Sequence, residues 1–277
     1  MKNIAYFNGE FMPYSEVNID LEDRGYLFAD GIYEVINSYN GKAFKMEEHF
    51  ERLKNSAKAV NFNDINYDKL IKDAYKLIEK NGLKDAKLYL QVTRGTAERS
   101  HAYPDNLTVN ILMLVKKLKR YSKKYYEEGV KAITVPDERW SKCYIKSLML
   151  LPNCMAKTKA HRAGALEAIQ VRDGFVTEGT STNLFIVKNN EVVTPPATNY
   201  ILNGITRQVA LEIGNKLELR MTEKSIPLAN LYNADEVFLS GTTTEIMPVV
   251  KVDGKIINDG KPGEISLKVL KEFRKLL

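Results

Sequence analysis

Several short blocks of this chain hold residue types that can do chemistry together. Phe28-Ala29-Asp30-Gly31-Ile32-Tyr33-Glu34 comes first, Arg139-Trp140-Ser141-Lys142-Cys143-Tyr144-Ile145-Lys146-Ser147-Leu148 lies near the middle, and Val176-Thr177-Glu178-Gly179-Thr180-Ser181-Thr182-Asn183 follows it. A lysine set partly out of water after an apolar residue, as Lys146 is after Ile145, loses its proton more readily and can then attack a carbonyl carbon. Arg99-Ser100-His101 sets two donors one residue apart, on one side of an extended segment, an arrangement suited to a carboxylate. Arg52 can hold an anion bidentately. Gly204-Ile205-Thr206 opens a helix, where N–H groups and the dipole favour a dianion, and Ser181 and Thr242 offer hydroxyls. Singly, none of these decides a function: the chain has 41 lysines and arginines, and most such side chains are solvated surface charges.

The elements that must position these residues are legible in the hydrophobic pattern. Asn8-Gly9 and Asn40-Gly41 each separate two short apolar runs, which predicts type I′ hairpins. Phe50, Leu53, Ala57 and Val60 predict one amphipathic helix, with Arg52 on its opposite face; Leu70, Ala74 and Leu77 predict a second, closed by Asn81-Gly82. Leu88, Leu90 and Val92, and the run from Leu107 to Val115, read as strands of the same sheet. Farther on, strands at Val130 to Val135 and Ala165 to Val171 flank a helix from about Ser147 to Arg162, and Asp173-Gly174 turns the chain. A strand at Leu184 to Val187, a helix opening at Ile205, a strand at Val237 to Ser240, a turn at Asp253-Gly254 and a helix patterned by Ile265, Leu267, Leu270 and Phe273 complete a two-domain α+β reading.

Composition bounds the class. With 277 residues, 44% hydrophobic and 27% charged, the chain has the makeup of a globular protein with a large core. No apolar run approaches a membrane span, and Met1-Lys2-Asn3-Ile4-Ala5-Tyr6 lacks a signal-peptide core, so a cytoplasmic protein with no membrane partner is expected. Cys143 and Cys154 suit neither a disulfide framework nor a zinc site, and no metal is expected. The net charge of +6 and the cluster Lys116, Lys117, Lys119, Arg120, Lys123 and Lys124 beside Tyr121, Tyr125 and Tyr126 allow a rival reading, a nucleic-acid binder. A modest lysine excess is more often a solvated face, and no nucleic-acid motif accompanies it.

In order and content the blocks closely resemble the class IV pyridoxal-phosphate (PLP) aminotransferases, from about Phe7 to about Lys261, and Arg99-Ser100-His101 narrows the resemblance to the D-amino-acid branch. The resemblance implies a smaller N-terminal α/β domain (1–117), a linker (118–124) and a larger C-terminal α/β pseudo-barrel domain (125–277) that carries Lys146. It implies that Lys146 is the Schiff-base lysine and proton shuttle, that Glu178 pairs with the cofactor's pyridinium nitrogen, and that Leu202 packs on its ring. Arg52, Ser181, Ile205, Thr206 and Thr242 would hold its phosphate, and Tyr33, Arg99 and His101 the substrate α-carboxylate. His49 and His161 are expected on helix surfaces.

The implied activity is amino-group exchange between D-amino acids such as D-alanine and 2-oxo acids such as 2-oxoglutarate, in a homodimer. The branched-chain L-aminotransferases of the same class are the alternative; they lack the Arg-x-His loop and carry phenylalanine-glutamate-glycine where this chain has Tyr33-Glu34-Val35. The chain departs from the D-branch pattern at Gly241, where a serine is usual, and at Ala29, where glycine is usual.

Overall fold

The structure, a computed structural model, describes residues 3–277. Two compact units emerge, Met1–Lys119 with Ile145–Met149, and Arg120–Tyr144 with Leu150–Leu277.

In the first unit, strands β1 (Ile4–Phe7) and β2 (Glu10–Pro13) are followed by the short helix α1 (Arg24–Phe28), strands β3 (Gly31–Tyr39) and β4 (Lys42–Ala43), helices α2 (Met46–Ala59) and α3 (Tyr67–Lys80), and strands β5 (Ala86–Thr93) and β6 (Asn110–Lys117). They form one sheet, ordered β2-β1-β6-β5-β3-β4, with every neighbouring pair antiparallel. Both expected hairpins are present: φ is 47° and 102° at Asn8-Gly9, and 51° and 82° at Asn40-Gly41, the positive pair that a type I′ turn requires. Leu88, Leu90 and Val92 on β5 are fully buried, as strict alternation dictates for a sheet with one face packed on helices.

Strand β6 departs from its expected span. It starts at Asn110, which pairs with Thr93, and runs on to Lys117, which pairs with Ala86. The length of β5 sets the register, so Leu107 to Val109 have no partner strand and lie outside the ladder.

The second unit contains α4 (Lys123–Glu128), β7 (Val130–Pro136), α5 (Leu151–Arg162), β8 (Glu167–Arg172), β9 (Phe175–Gly179), β10 (Asn183–Lys188), β11 (Glu191–Thr194), α6 (Ile205–Lys216), β12 (Arg220–Glu223), β13 (Ile226–Pro227), α7 (Leu228–Tyr232), β14 (Glu236–Gly241), β15 (Glu245–Val252), β16 (Lys255–Ile256) and α8 (Glu264–Arg274). Its sheet runs β12-β11-β10-β14-β15-β7-β8-β9-β13, with β16 on β15. The pairs β11/β12, β15/β7 and β7/β8 are parallel. Phe185 and Phe238 face each other across β10 and β14 with rings stacked at 4.8 Å, and both are fully buried.

Two expectations need correction here. The helix after Lys146 begins at Leu151, not near Ser147. Pro152 is the reason: in a helix from Ser147 it would sit past the first turn, where its missing N–H and its ring clash are not tolerated, whereas at the second position of α5 both are harmless. In α8, Leu267 is 40% exposed and Val269 takes the inward place beside Leu270 and Phe273. Between β6, which ends with Lys116 and Lys117, and α4, residues 118–122 lie in neither helix nor strand, and Ser122 caps α4 by accepting from the N–H of Lys124. Among the described residues, no helix is long and apolar enough to cross a membrane and no cluster of His, Cys, Asp and Glu could hold a metal ion.

Candidate active site

Lys146 lies on an extended segment that seals the outer edge of β3. The Tyr33 N–H donates to the Lys146 carbonyl at 2.9 Å, and the Leu148 N–H to the Gly31 carbonyl at 2.9 Å. Ser147 forms a bridge with Ile32, and the Lys146 N–H donates to Ser56 Oγ on α2 at 3.2 Å. These bonds explain why Ile145–Met149 groups with the first unit although the sequence reading placed Lys146 in the C-terminal domain. The closeness is tight: a Cβ on Gly31 would stand 2.5 Å from Leu148 Cδ1. The half-buried Lys146 side chain places Nζ 4.2 Å from the centroid of the Tyr33 ring. The structure thus brings together two residues that the sequence reading assigned separately, one to the cofactor and one to the substrate.

Arg52 and His49 on α2 both turn inward to Glu34 on β3. Arg52 donates to the two carboxylate oxygens at 2.8 and 2.9 Å, and His49 Nδ1 lies 2.7 Å from Oε2. The expectation that His49 is a surface residue is therefore wrong: it is 1% exposed, on the inward stripe with Met46, Phe50 and Leu53. Arg52 likewise does not occupy the solvent face; its side chain is 12% exposed. Apolar spacing alone does not place either side chain, because both turn toward Glu34, a buried carboxylate on β3 that lies apart in sequence. Burial pushes the Glu34 carboxyl up, but Arg52 and the His49 hydrogen bond hold it well below the usual range; burial holds His49 below its own. His161 is exposed, as expected.

Arg99 and His101 lie exposed on the loop that leaves β5. Both contact Phe28, the last residue of α1: the Arg99 guanidinium is 5.2 Å from its ring centroid, and the His101 ring meets it edge-on at 5.8 Å.

In the second unit Glu178 is buried on β9. Oε1 accepts from Arg139; Oε2 accepts from Asn183 Nδ2 at 3.0 Å and from the Leu202 N–H at 3.1 Å. Burial pushes its carboxyl up to about 7 in spite of Arg139. Arg139, 8% exposed, also holds Asp137, Thr177 Oγ1 and the Tyr200 carbonyl. Asn183 links Glu178 to the start of α6: its amide also donates to the Leu202 carbonyl at 2.8 Å, and a Cβ on Gly204 would meet its Oδ1 at 2.2 Å. Arg139 and Asn183 were missed in the sequence, although both lie inside the quoted blocks; what sets them apart from their neighbours is their hydrogen bonds to Glu178.

Ile205 and Thr206 open α6, which has no side-chain cap, so its first N–H groups lack intrahelical acceptors. Ser181 is exposed, and its carbonyl is 3.3 Å from where a Gly241 Cβ would stand, one residue before Thr242. The donor set in this unit, a buried carboxylate, an uncapped helix start tied to it through Asn183, and two hydroxyls, suits an aromatic base that carries a phosphate. The buried thiol Cys143 donates to the Trp140 carbonyl and burial pushes it up to about 11, so it is no nucleophile at neutral pH.

The family described as Amino-transferase class IV matches residues 31–252. The chain belongs to that family, and the two-unit α+β architecture is the class IV aminotransferase fold. Within the class, a D-alanine aminotransferase of Bacillus licheniformis is 45% identical over 265 residues, 95% of this chain and 93% of its own length. One from Staphylococcus aureus strain N315 is 43% identical over 276 residues, 98% and 97% of the two chains. The solved branched-chain amino acid aminotransferase of Escherichia coli has a TM-score of 0.93 at 26% identity, covering 99% of this chain and 94% of that one.

Proposed function

We propose that this enzyme is a D-amino-acid aminotransferase that uses PLP and moves the amino group between D-amino acids such as D-alanine and 2-oxo acids such as 2-oxoglutarate. The observation that carries the reading is the near end-to-end likeness to D-alanine aminotransferases; the branched-chain relative is far less alike in sequence and supports only the shared fold and class.

PLP, when bound, withdraws electrons from the substrate Cα and carries the amino group between the two half-reactions. Lys146 would hold the cofactor at its aldehyde carbon, and its amine would be the base that takes the proton from the substrate Cα. Tyr33 lies beside its Nζ and helps to orient the amine. Glu178, whose two oxygens are fixed by Arg139, Asn183 and the Leu202 N–H, would accept a hydrogen bond from the ring nitrogen without reorganising. Leu202 would pack on the ring. Arg52, Ser181, Ile205, Thr206 and Thr242 would bind the phosphate. Arg99 and His101, with Tyr33, hold the substrate carboxylate and thereby decide which enantiomer presents its Cα proton to Lys146. The enzyme works in the cytoplasm as a homodimer.

The test is an absorption titration of the purified holoenzyme. D-Alanine is expected to convert the visible band of the bound cofactor to an ultraviolet one, while L-alanine and L-leucine leave it nearly unchanged. Efficient conversion by L-leucine would instead place the enzyme with the branched-chain group.

A further inference from the structure

The Arg99-Ser100-His101 loop has a mount of its own. Arg24, 3% exposed, donates from Nη1 to the Ser100 carbonyl at 2.6 Å and from Nη2 to the His101 carbonyl at 3.3 Å, while its Nε bonds Asp30 Oδ2 at 3.0 Å. Its guanidinium also lies 4.7 Å from the Phe28 centroid. Phe28 is therefore contacted by Arg24, Arg99 and His101 together. A second buried arginine, Arg94, takes the same Asp30 oxygen at 2.7 Å, bonds the Val60 carbonyl at 3.0 Å and stacks on Tyr103 of the loop at 3.7 Å.

A planar guanidinium with donors on the Ser100 and His101 carbonyls fixes the two peptide planes on either side of His101. Those planes aim the His101 ring, and the Phe28 ring on which the Arg24 guanidinium lies also seats Arg99 and His101. Two buried cations on one carboxylate are an expensive arrangement for stability alone, since each must be taken out of water.

We propose that Arg24, seated on Phe28, is the positioning residue of the carboxylate-binding pair Arg99 and His101, and so a determinant of affinity for the substrate carboxylate without touching substrate. The proposal rests on the reading of Arg99 and His101 given above. A lysine at this position keeps the charge on Asp30 but, as a single-point donor, cannot span both carbonyls.

The experiment compares wild-type holoenzyme with Arg24→Lys, Arg24→Met, Arg99→Ala and the double variant Arg24→Lys/Arg99→Ala. Two quantities are read: amide hydrogen exchange across residues 99–103, and KM and kcat for D-alanine. Arg24→Lys is expected to fold, to speed exchange in the loop by about ten-fold, and to raise KM by about five- to ten-fold with kcat changed by less than about three-fold. On the Arg99→Ala background it should add less than about two-fold to KM, because its effect passes through Arg99. Arg24→Met should show the same split more strongly if it folds.

Loop exchange or KM at the wild-type value in Arg24→Lys, or full additivity with Arg99→Ala, overturns the proposal. The underlying reading fails separately: Arg99→Ala with unchanged KM overturns the role of Arg99, and the proposal with it, whereas a raised KM in Arg99→Ala beside an unchanged KM in Arg24→Lys overturns the proposal alone.

Discussion

The backbone N–H of Tyr33 donates to the backbone carbonyl of Lys146 at 2.9 Å, and the Lys146 ammonium nitrogen lies 4.2 Å from the centre of the Tyr33 ring. The main chain of the lysine is thus fixed to a sheet while its side chain takes no part in holding it there. Strand β3 supplies the rigidity, and the amine keeps its freedom for chemistry.

Lys146→Ala is accordingly expected to keep the fold, with a melting temperature near that of the wild type, and to lose turnover of D-alanine. General acid–base catalysis alone contributes about two to four orders of magnitude. Circular dichroism and a pyruvate-coupled assay check the two halves, and a variant that kept more than about a tenth of the wild-type rate would contradict the assignment.

Glu178→Gln is expected to slow removal of the Cα proton by about ten- to a hundred-and-fifty-fold, the worth of one charged hydrogen bond. Cofactor retention should fall less, because under the proposed function it rests on the phosphate more than on the ring nitrogen. Loss of deuterium from Cα-labelled D-alanine measures the first, and the absorbance of bound cofactor after dialysis measures the second. Normal proton removal with lost cofactor would make Glu178 a structural residue.

Ala29 caps α1 in the left-handed region, with φ 56° and its N–H bonded to the Gly25 carbonyl at 3.1 Å. A Cβ is strained there and glycine is not. Ala29→Gly is expected to stabilise the protein by about 0.5–1 kcal/mol, read as a higher urea midpoint at unchanged slope. An unchanged or lower midpoint would show that the strain is relieved elsewhere.

Glu34 titrates well below its ordinary value of 4.5 when folded, since Arg52 and His49 outweigh the effect of burial. Its contribution to stability is therefore complete above about pH 4.5 and is lost as the pH falls toward the folded value. Glu34→Gln should destabilise by about 3–5 kcal/mol at pH 7, as expected when one partner leaves a buried ion pair. The gap to wild type should narrow steadily below pH 4.5. Urea titrations at pH 7, 5 and 3.5 measure it, and a gap constant with pH would rule out the charged pair as its source.

What the sequence could disclose follows from how local each determinant is. The Asn8-Gly9 and Asn40-Gly41 turns and the α2 and α3 stripes depend on neighbours in the chain, and they were readable. The start of α5 is also local, since the missing N–H of Pro152 confines that residue to the first turn of the helix. The inward turn of His49 and Arg52, the grip of Arg139 and Asn183 on Glu178, and the hold of Arg24 on the Ser100 and His101 carbonyls depend on partners distant in sequence or on burial. No periodicity encodes them.

The interrupted course of the first unit bears on how the protein is made. A nascent chain that has emerged only as far as Lys119 can close the hairpins and lay down the sheet, but β3 still shows unpaired main-chain groups along its Gly31–Tyr33 border until Ile145–Met149 arrive. For that interval the border is open to any other extended chain, including a sister nascent chain on the same polysome. The segment that carries Lys146 is also the piece that ends this period of exposure.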